Sequence, residues 1–145
     1  MFKQYLALRL MKGSGLMNTL FLIGRIILGG FFIYSGVNHF IGFRMMTQYA
    51  KMKGVPFPAI AQGMAGLMLL LGGLSIVFGI YPFVGIFLLV AFLVPVSLMM
   101  HNFWKHEDPQ LRMADKTNFM KNMALLGALL MLLAIPSPWP LRLMP

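Results

Sequence analysis

Four apolar runs, at about residues 17–41, 59–80, 83–100 and 118–135, constrain this chain more than anything else in it. Each approaches the roughly 20 residues that a helix needs to cross the hydrocarbon core of a bilayer. In lipid no backbone N–H or C=O can be left unpaired, so such runs span as α-helices. The expected fold is all-α: a four-helix transmembrane bundle, with a short N-terminal interfacial helix and a short helix in the loop between helices three and four. Composition agrees: 59% of the 145 residues are hydrophobic and 10% charged, against roughly half and a quarter in a soluble domain.

The connections set the topology. The second and third runs are joined only by "YPF", so they form a tight antiparallel hairpin. Pro136, Pro138 and Pro140 stop the fourth helix and open a Pro-rich tail over 137–145. Four crossings place both chain ends on one face, A, and the connections 42–58 and 101–117 on the other, B. Residues 1–16, "MFKQYLALRLMKGSGL", set Lys3, Arg9 and Lys12 among apolar side chains. That pattern predicts an amphipathic interfacial segment ending at Gly13-Ser14-Gly15. The apolar run after it is too long for the core of a cleaved signal peptide. Glycines at 24, 29, 30, 36, 63, 66, 72, 73, 79, 85 and 127 predict close helix packing, Pro95 a kink, and fifteen methionines adaptable apolar contacts.

The net charge is +9. The basic residues flank the apolar runs, as loop anchors facing anionic headgroups do, so nucleic acid is not an expected partner. Face B collects Arg44, Lys51, Lys53, Lys105, Arg112, Lys116 and Lys121, and face A collects Lys3, Arg9, Lys12 and Arg142. The imbalance leans towards a cytoplasmic face B. The absence of cysteine removes disulfides, thiolate metal sites, iron–sulfur clusters and CxxC redox chemistry within the chain. No nucleotide loop, catalytic triad or zinc motif is present, and neither catalytic nor metal-ligating residues are assigned.

The scarce polar residues gather at face B. Asn38 and His39 end the first helix, and His101, Asn102 and Trp104 follow the third. His39 and His101 could serve as axial haem ligands, since bundle cores host such sites. Together with Trp104, Asn38 and Asn102 they could instead hold a quinone headgroup beside an apolar cleft. They could also be hydrogen-bonded interfacial histidines. Glu107, Asp108 and Asp115 could act as general bases, or pair with Lys105, Arg112 and Lys116 in the same loop. Asp108-Pro109 reads as a helix start, with Asp108 capping. Arg25 lies about eight residues into the first span, where a charge costs roughly 2.5–3.5 kcal/mol to insert. It could snorkel, pair with helix-end carbonyls, or contact lipid, a ligand or a partner subunit.

In these stretches the chain resembles the DoxX family of membrane proteins. "GRIILGGFFIYSGVNHF" resembles the family's first helix, "YAKMKGVPFP" its first loop, "LGGLSIVFGIYP" its second helix and turn, and "HNFWKHEDPQ" with "NFMKNMALLGALL" its closing helix pair. The resemblance runs over about residues 20–133. It implies four helices in a bacterial cytoplasmic membrane, and an association with quinone-linked oxidation of reduced sulfur compounds or with membrane complexes answering oxidative stress. Many members carry a Glu in the second helix, shortly before its Gly-Gly pair. Here that place is Leu69, so a Glu–Arg25 pair is absent and a structural role for Arg25 is favoured.

The first functional expectation is a non-catalytic accessory or stabilising subunit of a larger membrane electron-transfer complex, respiratory or photosynthetic. The alternatives are a quinone-interacting membrane oxidoreductase subunit and a small-solute carrier or channel. The expected partners are the lipid bilayer and other membrane subunits, and the possible ligands a quinone or a lipid.

Overall fold

The computed structural model describes the backbone of residues 2–143 and the side chains of residues 14–143. Among the described residues the regular structure is all helical: α1 (Phe2–Ile41), α2 (Phe43–Met52), α3 (Pro58–Phe78), α4 (Pro82–Met99) and α5 (Pro109–Leu132), with a single 3₁₀ turn at Phe103–Lys105. Among the described residues three stretches are long and apolar enough to cross a membrane: Ser14–Ile41, Pro58–Phe78 and Pro82–Lys105.

α3 is the central element and packs against α1, α2 and α4, while α5 packs on α4. Glycine makes the two tightest seams possible. A Cβ on Gly29 would lie 2.7 Å from the carbonyl oxygen of Gly73, and one on Gly73 would lie 2.8 Å from that of Gly29. α1 and α3 therefore meet backbone to backbone, the arrangement that small residues permit in membrane helices. Gly72 and Gly85 do the same for α3 and α4. Gly24, Gly30 and Gly127, expected to pack as well, face open space. Phe32, Leu69, Ile76, Leu89, Leu93 and Leu129 fill the core between these seams.

Two local expectations are corrected. α1 runs unbroken through Gly13-Ser14-Gly15, because Gly weakens a helix by only about 1 kcal/mol per residue and two of them do not end one. Whether the first 13 side chains form an amphipathic face lies outside the described residues. The connection at 42–58 contains a helix, α2, whose Ala50 is buried. The cap at Asp108 is as expected: its carboxylate accepts from the backbone N–H groups of Gln110 at 2.8 Å and Leu111 at 2.9 Å, and Pro109 follows. The helix it starts is not a separate loop helix; it continues to Leu132. Arg112, Asp115 and Lys116 make the first half of α5 too polar to form part of a membrane-length apolar run. From Asn118 to Leu132 the apolar part is about 22 Å long, and the chain then continues in tight turns to Ile135.

The ends of the bundle are fixed by contacts. Asp115, early in α5, meets His101 just beyond α4. Past the other end of α5, Pro140 meets Arg25 of α1 and Leu143 meets Phe78, the last residue of α3. α5 thus runs from the histidine end to the arginine end.

Candidate functional site at the histidine end and the buried arginine

The arginine end is a closed structural joint. A helix leaves its last four carbonyls without helical partners. In α3 all four are accounted for. Ser75 accepts from the N–H of Gly79 at 2.9 Å, and Phe78 accepts from that of Leu143 at 3.0 Å. Ile76 accepts from Arg25 Nε at 2.9 Å, and Val77 from Arg25 Nη2 at 2.7 Å. The third bond, from Nη1, goes to the Pro140 carbonyl at 2.7 Å. The guanidinium also lies 5.7 Å from the ring centre of Phe21 and 5.6 Å from that of Trp139. Arg25 is 1% exposed. Its charge sits where a helix C-terminus concentrates negative potential, which offsets its removal from water. Of the readings open from sequence, the geometry realises pairing with helix-end carbonyls. The place expected for a partnering Glu is also resolved. Leu69 is seven residues, about 10 Å, up α3 from Ile76, in the core and on the wall of a cavity. A carboxylate there would not reach Arg25.

The histidine end is different. A cleft of about 490 Å³ lies between the helices there, walled by α1, α2, α3, α4 and the middle of α5. Its walls are largely apolar: Phe31, Phe32, Leu69, Phe92 and Leu93, with five methionines, Met46, Met64, Met68, Met99 and Met100. The polar lining includes Ser35, His39, Gln62, His101, Lys121 and Asn122. A largely apolar cavity of a few hundred Å³ with a few convergent polar groups is the usual form of a small-molecule site.

Several of these polar side chains are held by the protein. His39 Nδ1 lies 2.8 Å from the Ser35 carbonyl, one helical turn back, and its ring meets Phe92 edge to face. Gln62 donates to the His39 carbonyl at 3.1 Å and to Met46 Sδ at 3.2 Å, tying α3 to α1 and α2. Ser97 donates to the Leu93 carbonyl at 2.6 Å and accepts from Asn122 Nδ2 at 3.1 Å. Pro95, on the same wall, has no N–H to give the Ala91 carbonyl.

Behind His101 is an ionic cluster. Asp115 receives Lys53 Nζ at 3.0 Å, His106 Nε2 at 2.6 Å and His101 Nδ1 at 3.2 Å. A carboxylate can only accept, so both histidine nitrogens are N–H donors. His106 Nε2 therefore cannot also accept from Lys53, which lies 3.3 Å away; Lys53 is spent on Asp115 and on Asn102 Oδ1 at 3.3 Å. Burial alone would raise the Asp115 carboxyl, but its bonds from His106, His101 and Lys53 outweigh this and hold it below the usual carboxylate value. Burial alone would lower Lys53, but its hydrogen bond to Asp115 and the neighbouring Tyr49 and Asp115 outweigh that and hold it above the usual lysine value. The local partners expected for Asp115, Lys105, Arg112 and Lys116, are not the ones it takes; a lysine 62 residues earlier and two histidines are. Among the described residues Glu107 and Asp108 form no ion pair.

The structure thus brings His39 and His101 to one cavity wall, while Trp104, Asn38 and Asn102 stand apart from it. Trp104 is about half exposed and meets Phe103 and Phe119 edge to face. Asn102 supports Lys53 instead. Gln62 was missed by sequence reasoning. Its signal was available: it is a polar side chain inside an apolar run, a position that demands a buried partner. Among the described residues, no group of three or more side chains of the metal-ligating types is placed to hold a metal ion.

An all-helical chain with three membrane-length apolar helices, apolar side chains on its outer surface and a ligand-sized cleft at one end is a helical membrane protein. The DoxX family model matches residues 20–102, more than half of the 145, and the chain belongs to the DoxX family. The match ends at Asn102, so His106 and Asp115 lie beyond it. Comparison with curated proteins and with solved structures returns no match.

Proposed function

We propose that this DoxX protein is a four-crossing bacterial inner-membrane subunit whose histidine-end cleft binds a flat lipophilic ring of the quinone type, in the service of a larger electron-transfer assembly. The observation that carries the reading is the cleft itself. It brings His39 and His101 to one cavity whose walls are largely apolar, with phenylalanine, leucine and methionine prominent. The ring faces of Phe31, Phe32 and Phe92 and the five thioethers suit a flat apolar ring. The histidines, Gln62 and Asn122 supply polar atoms for its substituents. α5, running from one end of the bundle to the other, supplies the fourth crossing.

A plain accessory role in the same assembly is the second reading, and one observation favours it. α1 begins well before the level at which α3 ends, and Leu16, Met17 and Leu20 on this extension are each more than half exposed. Arg25, whose cost in lipid argues for an outside partner, is answered within the chain and no longer supports that reading. A carrier or channel finds little support, since the polar residues at the two ends are separated by the packed core.

The test is a titration of the detergent-purified protein with a short-chain benzoquinone, read by quenching of intrinsic tryptophan fluorescence. Saturable binding that is lost in Ala65→Phe, which fills the cleft from α3 without adding a fluorophore that the readout would follow, is the expected result. Equal binding by wild type and variant would place the ring elsewhere.

A further inference from the structure

The hydrogen-bonding polarity of the cleft follows from where each proton must go. The Ser35 carbonyl has no proton, so the short contact with His39 requires a proton on Nδ1, and the neutral ring is left with Nε2 as an acceptor. The Asp115 carboxylate, held by Lys53, likewise requires a proton on Nδ1 of His101, and in the neutral ring Nε2 is then an acceptor. The His39 carbonyl fixes the Gln62 amide with its NH₂ inward to α1, leaving Oε1. Ser97 must give its proton to the Leu93 carbonyl, so Asn122 donates to Ser97 and keeps Oδ1. Four side chains from four different helices or helix ends are therefore presented as acceptors, their donors spent on the protein. Among the lining side chains Lys121 is the one cation; it is exposed, donates to Asn118 at 3.1 Å and lies 6.0 Å from the Phe31 ring centre.

We infer that the cleft selects the reduced, dihydroxy form of an aromatic ring over its oxidised dicarbonyl form. This rests on the ring-binding reading above and deepens it. A diol brings two O–H donors to a site rich in acceptors. At these four positions a dicarbonyl brings only acceptors and leaves lone pairs facing each other without a proton between them, which costs far more than a merely weaker bond; the donors left on the lining are the Ser35 and Tyr49 hydroxyls and Lys121. Preference for the reduced form also raises the midpoint potential of the bound couple, by about 30 mV for each factor of ten. The subunit would then capture a ring that arrives already reduced and hold it as the diol, a reservoir of reduced carrier beside its partner.

The experiment compares a decyl-substituted dimethoxybenzoquinone with its two-electron-reduced diol, kept anaerobic, on the full-length protein in detergent. The diol is expected to bind about ten- to a hundredfold tighter, and Gln62→Leu, which removes one acceptor at nearly constant volume, is expected to narrow that ratio. Equal or tighter binding of the dicarbonyl to wild type overturns the selectivity while leaving ring binding intact. Binding of neither form overturns the ring-binding reading and this inference with it. An unchanged ratio in Gln62→Leu removes Gln62 from the selecting set.

Discussion

Arg25 and Ile76 are 51 positions apart in the chain and 2.9 Å apart in space, the guanidinium Nε donating to a carbonyl that the end of α3 leaves without a helical partner. The same side chain reaches Val77 and Pro140. One cation thereby ties α1, the end of α3 and the C-terminal tail into one joint.

Removing that cation strands three carbonyls in an apolar setting. Arg25→Met is expected to destabilise the protein by about 3 kcal/mol or more, since each bond to a charged group contributes roughly 1.5–3 kcal/mol and the losses overlap. Arg25→Lys should recover only part, because a point charge cannot serve three carbonyls with fixed directions. Thermal unfolding in detergent measures both. A wild-type melting curve for Arg25→Met would mean that the joint is not structural.

The glycine seam makes a paired prediction. Gly73→Val drives a branched side chain into the backbone of α1, and a loss of about 2 kcal/mol or more is expected. Gly30→Ala, one position from the seam and facing open space, should be neutral or gain up to about 1 kcal/mol from helix propensity. Equal effects of the two would argue against the close α1–α3 approach.

Much of this was legible in the sequence, for reasons that particular residues show. Apolar runs that alternate in direction force His39 and His101 to one end, so their meeting on one cavity wall followed from counting crossings. Asp108 before Pro109 announced its own cap. What was not legible depends on long-range geometry. The α2 segment, "FRMMTQYAKM", is too polar for a span and reads as connection until α3 is present to bury Ala50. Sequence distance is the one distance a sequence offers, so it points Asp115 to its neighbours Lys105, Arg112 and Lys116; the fold supplies Lys53 from the first connection. Gly29 and Gly30 are identical in sequence, and their helix phase decides which one meets α3.

Asp115 and Lys53 give the protein a defined pH window. Asp115 is held below its ordinary value, so its stabilisation is present above the unfolded carboxylate value of about 3.9 and is lost as pH falls through the lower folded one. Lys53 is held above its ordinary value, so its stabilisation is present below about 10.4 and is lost as pH rises through the higher folded one. Between those limits both contribute. Asp115→Asn should lower stability at pH 7 by about 2 kcal/mol, less than a fully buried pair would show, because 11–13% of these side chains stays exposed. It should also flatten the acid limb of melting temperature against pH. An acid limb as steep as in wild type would assign it to another group.

The chain has no cysteine, so single introduced cysteines report membrane sidedness without background. Phe57 and Tyr81 are nearly four-fifths exposed, at the histidine end and the arginine end respectively, and Ser137 is exposed beyond α5. Labelling of Phe57→Cys, Tyr81→Cys and Ser137→Cys with an impermeant maleimide should place 81 and 137 on one side of the membrane and 57 on the other. Positions 57 and 137 reacting from the same side would mean that α5 does not cross.

The most direct measurement of the central claim, a ring-binding cleft at the histidine end, uses the methionines that wall it. In spectra of protein carrying ¹³C-methyl methionine, adding a short-chain quinol should shift the resonances of Met46, Met64, Met68, Met99 and Met100. Those of the outward-facing Met17, Met113 and Met131 should stay in place. Shifts confined to the outer group, or spread evenly over both, would show the ligand dissolving in the surrounding detergent and would contradict the site.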